Sequence, residues 1–136
     1  SEQKVTLQMI QEAQERLKGV AQKTGLSYGN SVSDLAGCKV YLKLETPATG
    51  SFKLRGAYNK VASLTPAERE KGVIAASAGN HAQGVALAAS EYGCQSVICM
   101  PKHAPLSKIA ATKGYGANVV LHATSSMKQH QAVELR

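Results

Sequence analysis

Two stretches gather the residues able to do chemistry: Ser51-Phe52-Lys53-Leu54-Arg55-Gly56-Ala57 and Ser77-Ala78-Gly79-Asn80-His81. Lys53 follows Thr49-Gly50, where a loop turns into a helix. A lysine desolvated at such a corner keeps part of its amine unprotonated, and that amine attacks carbonyls to form Schiff bases. The second stretch follows the apolar run Gly72-Val73-Ile74-Ala75-Ala76 and leads into an alanine-rich segment. Small residues ahead of a helix leave its first N–H groups open to a carboxylate or phosphate. The pair therefore points to amine–carbonyl chemistry beside an anion clamp. The competing reading makes Lys53 a solvated surface lysine, Asn80 a helix N-cap, and Ser77, Gly79 and His81 a tight strand-to-helix turn.

The elements that must position these stretches alternate. Residues Val5 to Gly19 are expected to form a helix with Thr6 as N-cap and Gly19 as stop. Val20 to Asn30 reads as loop, Ser31 to Gly37 as a short helical turn, and Cys38 to Leu44 as a strand. From Ser51 onward helices are expected over Phe52 to Ala62, from Thr65-Pro66, over Asn80 to Tyr92, Leu106 to Lys113 and Ser125 to Arg136. Strands are expected over Val73 to Ala76, Ser96 to Met100 and Val119 to Leu121. Strand and helix in turn imply α/β architecture with crossovers in a parallel sheet.

The two motifs, in this order and with these elements between them, resemble the pyridoxal-phosphate enzymes of the threonine dehydratase and serine dehydratase family. The resemblance runs from about Val5 to Leu121 and takes in Met100-Pro101, Ala104-Pro105, Lys108, Thr112 and Gly116-Ala117. It implies fold type II, the tryptophan synthase β-like α/β fold, with parallel-sheet βα units that are incomplete here. Residues 1–50 would belong to the larger domain and residues 51–136 would form most of the smaller one. Lys53 would bind pyridoxal 5'-phosphate covalently, with Phe52 packed near the ring. Asn80 would contact the ring hydroxyl, and Ser77, Gly79, Asn80 and His81 would hold the substrate carboxylate. The implied reaction is β-elimination from L-threonine, or serine, to a 2-oxo acid and ammonia. Lys23-Thr24-Gly25 leans toward catabolic threonine dehydratases. The family also implies a homo-oligomer. Serine racemase, another enzyme of this fold, and a non-catalytic α/β binding module are the alternatives.

Departures from the family pattern are local. Glu45-Thr46-Pro47-Ala48-Thr49-Gly50 is one residue shorter than the usual segment and lacks its two amides, so the turn feeding Lys53 is expected to differ. After His122 the usual glycine is Ala123. The family's glycine-rich phosphate loop and its partner for the pyridine nitrogen lie further along the chain and have no match here. Arg136 falls inside the last expected helix with no stop signal, whereas domain boundaries usually fall in linkers. The expectation is an N-terminal fragment, inactive by itself.

Other chemistries fail on context. Gly79 to Gly84 continues into Val85-Ala86, without the Lys and Ser/Thr of a P-loop. Gly114-Tyr115-Gly116 follows a helix and precedes a strand, the reverse of a dinucleotide fingerprint. Ser77 lacks the Gly-x-Ser-x-Gly elbow. His81, His103, His122 and His130 share no ligand spacing, and Cys38, Cys94 and Cys99 make no Cys-x-x-Cys unit, so no metal is expected. The net charge of +7 raises nucleic acid as a partner, but the basic residues are scattered and aromatics make up 4% of the chain. A solvated basic face is expected instead. Buried, reduced thiols, the lack of a signal-peptide core and the lack of a membrane-length apolar run favour a cytoplasmic protein with no membrane partner.

Overall fold

The structure, a computed structural model, describes residues 4–123. Helix α1 (Leu7–Arg16) starts where expected, the Thr6 hydroxyl accepting from the Met9 N–H at 3.2 Å. Strand β1 (Leu26–Tyr28) pairs antiparallel with β2 (Tyr41–Lys43), and α2 (Asn30–Ala36) lies between them. Strand β1 falls in the stretch read as loop. Three residues between Gly25 and Gly29 carry too little alternation to register, and only the partner strand defines them. Strand β2 is also shorter than the expected Cys38 to Leu44, and Cys38 is exposed rather than buried, as are all three residues of the strand itself. This antiparallel pair is a sheet separate from the parallel one.

The second half follows the expected rhythm closely. Helices α3 (Lys53–Ser63) and α4 (Pro66–Glu70) lead into β3 (Val73–Ala76). Thr65 and Glu68 close a reciprocal capping box at the start of α4, with Pro66 at its first position. Then come α5 (Asn80–Glu91), β4 (Ser96–Pro101), α6 (Leu106–Gly114) and β5 (Asn118–His122). The three strands are parallel in the order β3-β4-β5, and Ala75, Ile98 and Val119 lie in register across them. The helix expected over Ser125 to Arg136 lies outside the described residues.

The core sits between this sheet and the helices on it. Helix α5 buries Ala82, Gly84, Val85, Ala86, Ala88 and Ala89 against β3, β4 and α3. Side chains this small bring backbones together but remove little apolar area, so Ile98 and Met100, both fully buried, carry much of the burial. Full burial of one such side chain stabilises by about 1.5–3 kcal/mol. Gly84 matters through contact. A Cβ there would stand 3.1 Å from the carbonyl carbon of Lys53 and 3.2 Å from the Leu54 nitrogen. The start of α3 thus rests on the first turns of α5.

Candidate active site

Lys53 is the first residue of α3, and its N–H donates to the Ser51 hydroxyl at 3.3 Å. Because Gly84 stands one helical turn past Asn80, the Lys53 backbone lies about one 5.4 Å turn along α5 from that residue. The two motifs, 27 positions apart from Lys53 to Asn80, are thereby brought to one end of the α3–α5 pair. The Lys53 ammonium stands 5.3 Å from the centroid of the Phe52 ring, within cation–π range. Both side chains are exposed, Phe52 at 61%. The desolvation that an imine-forming lysine needs is therefore not supplied by the described residues.

The turn feeding α3 carries strain. Ala48 has φ +77°, a left-handed conformation that costs a residue with a Cβ about 1–3 kcal/mol. Thr49 beside it is buried with its hydroxyl unpartnered. This is the shortened segment singled out in the sequence. An ion pair braces it: the Arg55 Nε donates to Glu45 at 2.6 Å, and Lys43 stands 3.4 Å from the same carboxylate. Some desolvation pushes the Glu45 carboxyl up, but the hydrogen bond and charge of Arg55, and then of Lys43, outweigh it and hold the group below its ordinary value.

The second motif departs from a plain capping turn. Gly79, not Asn80, is the N-cap of α5, and no side chain caps the helix. Its first-turn N–H groups therefore keep their capacity for an anion. The Ser77 hydroxyl accepts from the Gly79 N–H at 3.3 Å, which leaves its own hydrogen to donate. Asn80 is the first helical residue, and its Oδ1 accepts from the Lys108 ammonium at 3.0 Å. His81 is exposed and borders a cavity of about 430 Å³ between α3 and the edge strand β3. Lys53, Ser77 and Asn80 do not line that cavity.

Sequence reasoning missed two contributors. Gly84 gives no motif signal, because its role is a close approach between helices. Lys108 stood in the recurring pattern without a role. Four residues on, at one helical turn, the fully buried Thr112 donates its hydroxyl to the Lys108 carbonyl at 2.8 Å, and that spacing was its only clue. Among the described residues no three His, Cys, Asp or Glu side chains gather as a metal site, and no helix is long and apolar enough to cross a membrane.

Comparison with known proteins bears on this arrangement. The chain is 55% identical over 118 residues to the L-threonine ammonia-lyase of Thermotoga maritima, covering 86% of this chain and 29% of that protein. It is 51% identical over 119 residues to the catabolic L-threonine dehydratase of Escherichia coli K12, covering 87% of this chain and 36% of that one. It thus spans about a third of the length of these relatives. Among solved structures, threonine deaminase isoform 2 of Solanum lycopersicum superposes with a TM-score of 0.81 at 40% identity, over 97% of this chain and 40% of that one. Maize serine racemase superposes with a TM-score of 0.87 at 34% identity, over 93% of this chain and 39% of that one. The family described as pyridoxal-phosphate dependent enzyme matches residues 18–136. A parallel α/β unit with Lys53 and Asn80 at neighbouring helix starts, matched over most of its length, belongs to the pyridoxal-phosphate dependent enzyme family.

Proposed function

We propose that this chain forms the amine-bearing part of a threonine dehydratase, which converts L-threonine to 2-oxobutanoate and ammonia. The observation that carries the reading is the approach of the Lys53 backbone to α5, one turn from Asn80 and from a helix start that no side chain caps. The residues present fit pyridoxal 5'-phosphate. Lys53 offers a primary amine, Asn80 retains its amide N–H₂ as a donor, and the open N–H groups of α5 suit an anion. When bound, the cofactor supplies an electron sink for the charge left at the substrate's α-carbon.

The chain's own residues then have distinct tasks. Lys53 would hold the cofactor through its amine and, when that amine is free, would take the substrate's α-proton on Nζ. The Asn80 amide would donate to the ring hydroxyl. Ser77, the Gly79 backbone and the first turn of α5 hold the substrate carboxylate, with His81 at the rim. Phe52 covers one side of Lys53, and the wall that dries the site comes from the rest of the enzyme. On the same reading residues 1–50 belong to the larger domain, residues 51–136 to the smaller, and the assembled protein is a cytoplasmic homo-oligomer.

The test is Lys53→Ala in the full-length protein. We expect 2-oxobutanoate formation and the absorption of the covalently held cofactor both to vanish, with the circular dichroism of the fold unchanged. An unchanged band in the variant overturns the assignment. The 136-residue chain alone, given pyridoxal 5'-phosphate and threonine, is expected to form no 2-oxobutanoate above the cofactor-only background, because electrostatic positioning needs the missing wall. The likeness to serine racemase makes racemisation the second reading. Chiral analysis of L-serine after incubation with the full-length protein separates the two, since elimination leaves pyruvate and racemisation leaves D-serine.

A further inference from the structure

We propose that Lys108 is a positioning residue for this chemistry: it holds the Asn80 side chain in the one orientation that presents N–H₂ to the cofactor ring. The proposal rests on the reading of Asn80 as the contact to the ring hydroxyl. The two residues are 28 positions apart, on α5 and α6, and meet at 3.0 Å between the Lys108 Nζ and the Asn80 Oδ1. An ammonium has donors only, so the amide atom facing it must be the oxygen. The nitrogen, with both its hydrogens, is then turned away from Lys108. An amide without such a neighbour can rotate by half a turn and offer oxygen in place of nitrogen.

The base of Lys108 is fixed independently of Asn80. Its N–H donates to the Pro105 carbonyl at 2.9 Å, and its carbonyl accepts from the fully buried Thr112 hydroxyl at 2.8 Å. Among the described residues its ammonium makes no ion pair, unlike Lys18 and Lys43. Its polar contact there is the Asn80 amide. Nor is Asn80 occupied in capping α5, since Gly79 is the N-cap.

The orientation has a chemical consequence. An N–H₂ donor favours a ring hydroxyl that has lost its proton, because the resulting oxyanion is the stronger acceptor. An amide oxygen in the same place would favour the protonated hydroxyl, which can donate to it. Lys108 thus selects the ionised ring without touching it.

The experiment uses the full-length protein with Lys108→Met, Lys108→Arg, Asn80→Ala and the Lys108→Met/Asn80→Ala double variant. Lys108→Met should shift the bound cofactor's absorption from its long-wavelength toward its short-wavelength band. It should also lower kcat about tenfold, as loss of an orienting outer contact typically does, with KM changed by less than about twofold. Lys108→Arg, also donor-only, should restore both the spectrum and kcat. In the Asn80→Ala background, Lys108→Met should add nothing. A wild-type spectrum and kcat in Lys108→Met overturn the proposal, as do losses that multiply in the double variant. If circular dichroism shows Lys108→Met to be unfolded, Lys108→Gln replaces it with the same expectations, because Gln can also accept and so no longer dictates the amide. An unchanged band in Lys53→Ala would instead strike the underlying reading, which keeps the two failures apart.

Discussion

Residues 4–50 and residues 51–123 are both helix-and-strand segments, yet they treat their apolar side chains in opposite ways. Among the described residues, every buried apolar side chain lies between Leu54 and Ala117. In the first segment only Ser33 and Thr49 are buried, and Leu7, Ile10, Leu26, Leu35 and Tyr41 are exposed. The difference follows from what each segment can close by itself. Parallel strands β3-β4-β5 with helices α5 and α6 make a layered unit that removes Ile98 and Met100 from water entirely. The two three-residue strands of the first segment have no such layer over them, and a lone two-stranded pair is marginal in water. The first segment is tied to the second through few contacts, among them the Arg16 hydrogen bond to Asn59 at 3.1 Å and the Glu45–Arg55 pair. The candidate site stands at this boundary, with Lys53 three residues past the divide and its strained turn before it.

Substitutions can break or sharpen the contrast. The largest effect is expected from Ile98→Ala, which opens a cavity in the fully buried centre and should cost about 2–5 kcal/mol in urea denaturation. Gly84→Ala comes next. The new Cβ meets the Lys53 backbone, which cannot swing aside as a flexible side chain would. Overpacking of this kind costs about 1–3 kcal/mol. In the full-length protein it should also weaken cofactor binding, read by equilibrium titration of the cofactor absorption. Unchanged binding and stability together would mean the α3–α5 approach does not set the site.

Thr65→Ala removes the capping box of α4 and should cost about 0.5–2 kcal/mol, measured in the same denaturation series. Leu35→Ala, at a side chain 90% exposed, should stay within about 0.5 kcal/mol in the 136-residue chain. A loss like that of Ile98→Ala would erase the contrast between the segments. Glu45→Gln probes the bridge across the divide. The folded carboxyl titrates below its ordinary value of 4.5, so its contribution is present above that value and fades as pH falls through the lower folded pKa. The parent should therefore lose stability relative to Glu45→Gln as the solution is acidified, and parallel acid-denaturation curves would show that the pair contributes nothing.

Much of this protein was legible in the sequence where short-range physics decides. Thr65-Pro66-Ala67-Glu68 contains its capping box within four residues, and Val73 to Ala76 is a strand with the expected bounds because an apolar run between Gly72 and Ser77 has no other economical use. Gly37 ends α2 at φ +66°, a conformation that glycine adopts without a Cβ penalty. The local reading of helices over Phe52 to Ala62 and Asn80 to Tyr92 placed Lys53 and Asn80 at the helix starts where they stand. Tertiary structure decided the rest. Strand β1 exists only through its pairing with β2, Asn80 serves Lys108 rather than its own helix, and Lys53 is left open to water. Each depends on which distant backbone or side chain arrives alongside. No local propensity encodes that arrival, because it is set by how whole elements pack.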